Sequence, residues 1–538
     1  MIAVKQFLFL WLIALCTHAV GYGPFGIGPG GLGRPMHVDY SVRLRVARDW
    51  ARGLKLYEET YENTQPTVFL FMRLVDSARP EVSHYFAETL LAAVGALTFH
   101  RALLRTVPAC AAAAPILLVA WTGLAPTFYG GQTTEAISLW FDVIALSCFA
   151  LCHRTGRAAL ALASGISFFL MVSFRVPCLI HGLAYLPLVW ALFRDRGVRS
   201  GSFLVLCFCA GVALPLLALS IHARTLGYWE PYLEVLGRNR GYAALDRVPL
   251  GKSLRAFFGN LDLMLGGYTG TPLLVWLSLT LLWPWWRSPL RGRRLWLVVG
   301  VTWLGAAFAS VFPGGRHWPH YYHVAWAPLS LLSTLWLSRL ANRPRRRIGR
   351  GLAWAVISYT LVVAVGSSAR AYLQEWSRPW TLSQLSRESH ARLRVTEAAA
   401  YLERLTAPKM PVPICVWNDW AELYWRTHRP SVSTCVAPLL FDELHPRVFS
   451  EWVGAMLAQR PPLVVTDYSM LGPTSESIRH LSTPGFPQLK EMLDRDYVTI
   501  RRIDDLCFLA LRGGPFDRRA GEADSSRPGR PREGRAIE

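Results

Sequence analysis

The residues of this chain that could do chemistry are acids and cations at the borders of apolar segments. Asp39 lies between the first two segments, and Glu135 lies at the beginning of the fourth. A third group, in the sequence GGRHWPHYYH, contains Arg316, His317, His320 and Tyr321. Carboxylates can move protons, whereas arginine and histidine bind anions such as phosphates. Brought together from separate loops, these residue types would form a polar site of the kind that a membrane-embedded enzyme requires.

Each of these residues also has a structural explanation. Asp39 could cap the helix that follows it, and Glu135 could cap the fourth apolar helix. Arginine, histidine and tyrosine at a helix mouth are common anchors at the membrane surface, which would account for residues 316–323. The residue types leave both interpretations open, so the arrangement of the loops has to decide between them.

The predicted helix after Asp39 has a basic face. Arg45, Arg48 and Arg52 recur at helical spacing, while Val46 and Trp50 fall on another face. This pattern is typical of a helix that lies flat on a membrane surface, and it predicts contacts with lipid head groups or phosphates.

Composition places the chain among membrane proteins. Its 538 residues are 52% hydrophobic and include 22 Trp, and apolar runs of near-spanning length recur up to about residue 369. The formal net charge is +21, but most of the basic residues stand in short loops, where they set orientation. No basic stretch interleaved with aromatic residues indicates a nucleic-acid-binding module. The expected class is a polytopic α-helical membrane protein.

About eleven transmembrane helices are predicted from the apolar segments. These segments are 7–20, 86–104, 109–124, 137–151, 158–174, 178–193, 203–221, 271–286, 295–312, 321–337 and 352–367. When alternate loops are assigned to opposite sides, the arginine-rich loops all fall on one side, which their charge makes cytoplasmic. The loop with Asp39, the helix mouths with Glu135 and His320, and the chain after about residue 370 then face the other side.

Three pieces of sequence resemble one known family. They are LYEETYENTQPTVFLF after the first helix, GGQTTEAISLWF at the fourth helix, and GGRHWPHYYHVAWAPLSLL at the tenth. Their order and common side are similar to those of the multispanning type C (GT-C) glycosyltransferases. This superfamily includes the dolichyl-phosphate-mannose protein mannosyltransferases and the bacterial aminoarabinose transferase of lipid A.

The resemblance implies transfer of a hexose or pentose from a polyprenyl-phosphate carrier to a lipid, glycan or protein acceptor on the outer face. The reaction would be inverting, with Asp39 as the base and Glu135 as a second acid. The donor phosphate would be bound by Arg316, His317, His320, Tyr321 and Arg175. The basic face of the opening helix, with Arg45, Arg48 and Arg52, would recruit the anionic carrier.

Three further expectations concern charged groups near this site. Arg175 faces the outer side in the predicted topology, where it would hold a lipid phosphate or extend toward water past the apolar core. Asp142 lies deep in the fourth span and is interpreted as a partner in an interhelical hydrogen bond. No cofactor is expected. A divalent ion held by Asp39 and Glu135 is an alternative, but metal-free catalysis is favoured because no metal-type spacing occurs.

The chain is predicted to comprise a transmembrane domain at 1–369 with a first outer loop at 21–85, an extracytoplasmic α/β domain at 370–512 and a disordered tail at 513–538. Strands are expected at 412–417, 431–436 and 463–466, with helices at 420–427 and 448–459 and a closing hairpin at 497–511. No Gly-rich loop supports a nucleotide site. Cys415, Cys435 and Cys507 form an odd trio, which leaves disulfide pairing open.

The expected location is the bacterial inner membrane. The main alternative is a transporter or flippase whose mouth residues bind and release a lipid-linked or anionic substrate, although no internal repeat supports it. A membrane scaffold whose outer domain binds partners is the second alternative. The sequence specifies neither the sugar nor the acceptor.

Overall fold

The helices of the apolar part of the chain form a bundle. The computed structural model describes residues 2–22, 38–58, 60, 64–77, 80–104, 106, 108, 111–124, 133–245, 250–266, 291–312, 319–341, 351, 355, 358, 362, 397–405, 414–416, 423, 427, 446–467, 486–503 and 506–517. The chain divides into two compact units, Met1–His37 with Thr64–Ser383 and Val38–Asn63 with Gln384–Glu538.

The regular secondary structure that is described in the first unit is helical. Its helices are α1 (Ile2–Tyr22), α3 (Pro66–Val75), α4 (Pro80–Leu103), α5 (Ala113–Leu124), α6 (Thr134–Thr155), α7 (Ala158–Phe174), α8 (Leu186–Thr225), α9 (Trp229–Leu245), α10 (Leu250–Gly266), α11 (Arg291–Ala309) and α12 (Trp326–Ala341), while α2 (Val38–Ala51) belongs to the second unit. Two 3₁₀ segments, Val176–Tyr185 and Pro319–Ala325, precede α8 and α12.

Three described helical segments are long and apolar enough to cross a membrane, namely Val82–Leu103, Thr134–Thr155 and Val176–Thr225. The third has 50 residues, more than twice what one span needs. It is interrupted at Gly197, where the backbone leaves helical geometry with φ 75° and ψ 164°. This break falls inside the predicted basic loop between the sixth and seventh spans. The predicted eighth span lies outside the described residues, as does most of the eleventh.

Several predicted spans match helices of the structure. The fifth span, predicted at 158–174, coincides with α7, because its apolar run is bounded by Arg157 and Arg175. The prediction of a long loop at 222–270 is wrong, since α9 and α10 occupy most of it. Phe257 of α10 packs against Phe308 and Tyr322 at centroid distances of 5.3 and 5.8 Å. The helix therefore supports the second 3₁₀ segment.

Two helices of the bundle approach closely at small residues. A Cβ added to Gly165 of α7 would lie 2.1 Å from the carbonyl oxygen of Phe208, and one added to Gly211 of α8 would lie 2.2 Å from that of Leu162. Only glycine fits such backbone contact, which is a common way for helices to pack in membranes.

Arginines cap helix ends at one end of the bundle. Arg154, in the last turn of α6, donates through Nη1 to the carbonyl oxygens of Arg101 and Ala102 at 3.2 and 2.9 Å. Arg196 donates to the carbonyl oxygens of His153 and Arg154 at 2.7 and 2.6 Å. These guanidinium groups satisfy carbonyls that a helix C-terminus leaves without internal partners. Three of the arginine loops that were predicted to share a side therefore meet at one end.

The second unit contains a small mixed sheet. Its strands are β1 (Ile414–Val416), β2 (Leu463–Asp467), β3 (Tyr497–Ile503) and β4 (Leu506–Leu511), in the order β1-β2-β4-β3. The pair β1 and β2 is parallel, whereas β4 pairs antiparallel with β2 and β3. The closing hairpin is confirmed, and the expectation of parallel strands holds for the first pair alone. Helices α13 (Pro446–Gln459) and α14 (Phe486–Asp496) precede β2 and β3.

Helix α2 shares a core with this sheet, because Val42 belongs to the same buried cluster as Val465 and Phe508. The first outer loop, predicted as part of the transmembrane domain, thus contributes to the second unit. The prediction that α2 lies flat on a membrane surface with an exposed basic face is therefore wrong. Arg45 is 2% exposed and donates from Nε to Asp49 Oδ2 at 2.6 Å, whereas Arg48 is half-buried and Arg52 is exposed.

The carboxyl group of Asp49 is buried beside this arginine. Burial raises the pKa of Asp49 above its usual value, because the loss of water disfavours the charged form more than Arg45 and Arg52 favour it. Arg45 is therefore occupied inside the protein, and carrier recruitment by its side chain is not supported by this geometry.

Candidate functional site

Four chain segments meet at the end of the bundle opposite the arginine caps. They are the beginning of α6, the end of α7, the end of α11 and the second 3₁₀ segment. The two ends of α6, which has 22 residues, are separated by about 33 Å. This end contains Glu135, Arg175 and Tyr321, three of the residues that the sequence proposes for the site.

The Arg175 side chain joins these segments. It donates from Nη1 to the carbonyl oxygen of Tyr321 at 3.0 Å and from Nη2 to that of Ser310 at 3.4 Å. Its guanidinium carbon lies 4.5 Å from the centre of the Tyr321 ring, a cation–π distance. Its Nε lies 3.7 Å from Glu135 Oε1, and the two side chains are 6% and 7% exposed. Arg175 is thus a buried cation at a fixed position and does not extend toward water.

Local sequence explains this placement. The residue before Val176-Pro177 ends α7 in an extended conformation, with φ −149° and ψ 99° at Arg175, as expected near a proline that cannot continue the helix. The Arg175 N–H still bonds to the carbonyl oxygen of Met171, so the residue remains attached to the helix end. Glu135 lies in the first turn of α6, whose N-cap is Thr133. The two charges therefore come from helix ends that the topology places side by side.

A second layer of polar groups lies behind Arg175. Trp303 Nε1 donates to Asp142 Oδ2 at 2.7 Å, and His181 Nδ1 lies 2.7 Å from the same oxygen. The other nitrogen of His181, Nε2, lies 3.4 Å from the hydroxyl oxygen of Ser310, whose carbonyl oxygen accepts from Arg175. The interpretation of Asp142 as an interhelical hydrogen-bond partner is confirmed.

The order aspartate, histidine, serine is that of a hydrolase triad, but this layer cannot act as one. Asp142, His181 and Ser310 are at most 1% exposed, so a substrate has no access to the hydroxyl group. The Ser310 hydroxyl also donates to the carbonyl oxygen of Ala307 at 2.7 Å. A nucleophile needs both access and a neighbouring base, and here access is missing.

The remaining predicted site residues are only partly described. His320 packs edge-on against Tyr321, with ring centroids 4.8 Å apart. The backbone of Asp39 lies in the first turn of α2, but its side chain is outside the described part of the chain. Arg316 and His317 also lie outside it. The roles assigned to Asp39, Arg316, His317 and His320 therefore stay predictions.

A further buried acid, Glu88, is not among the residues that the sequence proposes for the site. Glu88 of α4 and His18 of α1 are fully buried, and His18 Nδ1 lies 3.5 Å from Glu88 Oε1. His18 Nε2 lies 3.3 Å from the hydroxyl oxygen of Thr122 on α5. The available signal was an acid within an apolar helix, which is rare and needs a partner. Among the residues that the structure describes, no group of three or more His, Cys, Asp or Glu side chains could hold a metal ion.

The fold is similar to that of solved membrane glycosyltransferases. The structure of ArnT from Cupriavidus metallidurans in the apo state matches with a TM-score of 0.57 and 13% identity over 95% of this chain and 98% of that chain. The structure of the same protein bound to undecaprenyl phosphate gives a TM-score of 0.55 and 13% identity over 95% and 97%. The Archaeoglobus fulgidus oligosaccharyltransferase in the apo form gives 0.49 and 13% over 91% and 72%. No protein-family model and no curated protein matches the sequence.

Proposed function

We propose that this chain, which has the fold of the GT-C glycosyltransferases, transfers a sugar from a polyprenyl-phosphate carrier to an acceptor outside the cytoplasm. The observation that carries the proposal is the buried group of Glu135, Arg175 and Tyr321 at the end of the bundle away from the arginine caps. An acid and an arginine from separate helix ends meet there, as a reaction between a phosphate donor and a hydroxyl acceptor requires.

Arg175 would bind the phosphate of the donor. A guanidinium group has five N–H donors, and Arg175 uses one on each of two carbonyl oxygens. Its Nε is too far from Glu135 Oε1, at 3.7 Å, for a hydrogen bond. The donors not bound to carbonyls remain for phosphate oxygens. The binding of undecaprenyl phosphate by the ArnT neighbour supports a carrier of this class. Arg316, His317, His320 and Tyr321 would complete the phosphate site.

The reaction would be a single displacement with inversion at the anomeric carbon. The acceptor oxygen forms a bond to that carbon while the bond to the phosphate oxygen breaks. The acceptor proton passes to a carboxylate, and the polyprenyl phosphate leaves with the bonding electron pair. The leaving group needs cations and no strong acid, because it departs as a stable anion. Asp39 is the proposed base. Glu135, beside Arg175, is the second acid and its counter-charge.

The proposed location is the bacterial inner membrane, with the second unit outside the cytoplasm. One feature supports a common side for the first loop and the C-terminal region, and another supports the orientation of the bundle. Val42 of α2 is buried in one cluster with Val465 and Phe508, and the arginine-rich loops meet at one end of the bundle, as cytoplasmic loops would. Arg48 and Arg52 keep the proposed role in recruiting the carrier.

Replacing Asp39 with asparagine tests the proposal, because the change keeps the shape and removes the base. Membranes containing the variant should transfer label from a polyprenyl-linked sugar about a thousandfold more slowly than wild type, as is typical for loss of a general base. The glycans and lipids of the cell envelope should also be compared between cells with and without the protein. Cells without it should lack one sugar in one class of molecule. The missing sugar would identify the donor, and the class that lacks it would identify the acceptor. Unchanged transfer by the Asp39→Asn variant would contradict the assignment of the base.

A further inference from the structure

The buried layer of Asp142, His181 and Ser310 joins three separate segments of the bundle. Its members come from α6, the first 3₁₀ segment and the end of α11. A buried acid in an apolar bundle is costly unless it is paired. Two nitrogen atoms, His181 Nδ1 and Trp303 Nε1, each lie 2.7 Å from Asp142 Oδ2. These groups lie directly behind the end of α11.

A series of contacts connects this buried layer to Arg175. Trp303 can only donate, so Asp142 Oδ2 accepts from it, and His181 Nδ1 donates to the same oxygen. With Nδ1 fixed on Asp142, the imidazole ring presents Nε2 to the Ser310 hydroxyl group. Ser310 in turn offers its carbonyl oxygen to Arg175 Nη2. The chain of contacts therefore runs from a carboxyl group inside the bundle to the cation at its end.

We propose that Asp142 and His181 are positioning residues, which hold the end of α11 so that Arg175 keeps its orientation toward the donor phosphate. The proposal rests on the proposed function for the identity of the ligand. Neither residue touches substrate. Their effect passes through Ser310, because a shift of the α11 end would move one of the two carbonyl groups that fix the Arg175 guanidinium plane. A bidentate contact with phosphate depends on that plane.

The chain offers a matched control in His18. It is also a fully buried histidine with a carboxylate partner and a hydroxyl contact, to Glu88 and Thr122. Its described partners Glu88 and Thr122 lie on α4 and α5, whereas those of His181 lie on α6 and at the end of α11. His18→Gln and His181→Gln therefore remove the same kind of pair from the same bundle. An effect on Arg175 that is specific to His181 would separate positioning from a general loss of stability.

The first experiment measures the orientation of Arg175 without any donor. The full-length protein in lipid nanodiscs is treated with phenylglyoxal, which modifies accessible arginines, and labelled peptides are quantified by mass spectrometry. Arg175 of the wild type, whose side chain is 6% exposed, should be protected. His181→Gln and Asp142→Asn should expose it to labelling, whereas His18→Gln should leave it protected. Equal labelling of Arg175 in the His181→Gln and His18→Gln variants would overturn the proposal.

The second experiment measures binding of undecaprenyl phosphate to the same samples. His181→Gln should weaken binding by about tenfold to a hundredfold, which is the scale of a misplaced contact group, while His18→Gln should bind as wild type does. If the wild type and Arg175→Ala bind the lipid equally, the proposed function fails, and the labelling result still decides the positioning role. If Arg175→Ala loses binding while His181→Gln retains it, the positioning proposal fails and the proposed function stands.

Discussion

The two ends of α6 carry similar residues and use them differently. At the C-terminal end, Arg154 and Arg196 donate to carbonyl oxygens of helix ends, and the nearby acid Asp195 has 42% of its side chain exposed. At the N-terminal end, Arg175 also donates to two carbonyl oxygens, but the acid beside it, Glu135, has only 7% exposed. At the first end, the arginines satisfy carbonyl oxygens that helix C-termini leave without internal partners. The second end adds a buried acid in the first turn of α6, where the helix dipole favours a negative charge and burial opposes it.

The difference matters because a buried ion pair seldom increases stability. Removing two charges from water costs several kcal/mol per ion, and apolar replacements of such pairs are often neutral or stabilising. A protein that needed only to cap its helices could use the exposed arrangement at both ends. The buried pair of Glu135 and Arg175 therefore favours the proposed binding of a ligand, with Asp142 and His181 as its proposed support.

The largest expected effect follows from replacing Arg175 with methionine, which keeps the apolar stem and removes the charge. Transfer from the lipid donor should fall by at least about a hundredfold, because a phosphate-binding cation is lost from a site shielded from water. The measurement is kcat/KM for the polyprenyl-linked sugar in nanodiscs. The matched change at the other end, Arg154→Met, should lower the unfolding temperature and leave transfer per folded molecule near that of wild type. Equal losses of transfer would remove the distinction between the ends.

A smaller effect is expected for Glu135→Gln, which keeps the shape and removes the counter-charge of Arg175. If Glu135 acts only as a counter-charge, undecaprenyl phosphate should bind more tightly and turnover should change little. If Glu135 is the second acid of the reaction, the Glu135→Gln substitution should lower kcat by about tenfold to a hundredfold. We expect the fall in kcat together with tighter binding, measured by separate binding and turnover assays. Unchanged kcat would restrict Glu135 to the electrostatic role.

The arginine-capped end should respond to a change in backbone geometry. Gly156 has φ 74°, and a Cβ placed there would lie 2.5 Å from Nη1 of Arg196. Gly156→Ala should therefore destabilise the protein by about 1–2 kcal/mol, from the strained conformation and the displaced arginine. Chemical unfolding in detergent would measure the loss. Transfer by the folded fraction should stay at the wild-type rate, and a specific loss of transfer would connect this end to the reaction.

The sequence predicts a helix well where charged residues border its apolar run. It does not predict helices in which polar and apolar residues are mixed. Arg157 and Arg175 border α7, so both ends of this helix were predictable. Helices α9 and α10 mix aromatic and charged residues, a pattern that predicts a loop. The spacing of Arg45 and Asp49 at positions i and i+4 predicts an ion pair along the helix, which the pattern of basic residues alone does not show.

The candidate site was predictable as a set of residues and not as a set of contacts. The predicted topology places Glu135, Arg175 and Tyr321 on one side of the membrane, and the structure brings these three together. His181 and Ser310 carried no comparable signal. Their role depends on which atoms face Asp142 and Arg175, and such contacts between distant segments come from packing that no single stretch of sequence specifies.

The smallest effect concerns another buried acid beside arginine, Asp49 in the second unit. Burial raises its pKa, so the folded protein binds a proton at this carboxyl group more readily than the unfolded chain does. Ionised Asp49 therefore lowers stability as the pH rises through its raised pKa. Asp49→Asn imitates the protonated form, so its stability relative to wild type should increase from acidic to neutral pH and be equal at the acidic end. Thermal unfolding of both proteins from pH 4 to pH 7 would measure the difference. The opposite trend would mean that Arg45 offsets the cost of burying Asp49. A buried pair of acid and arginine would then stabilise this protein without any ligand. In that case the cost of burying Glu135 and Arg175 would no longer favour a ligand at that pair.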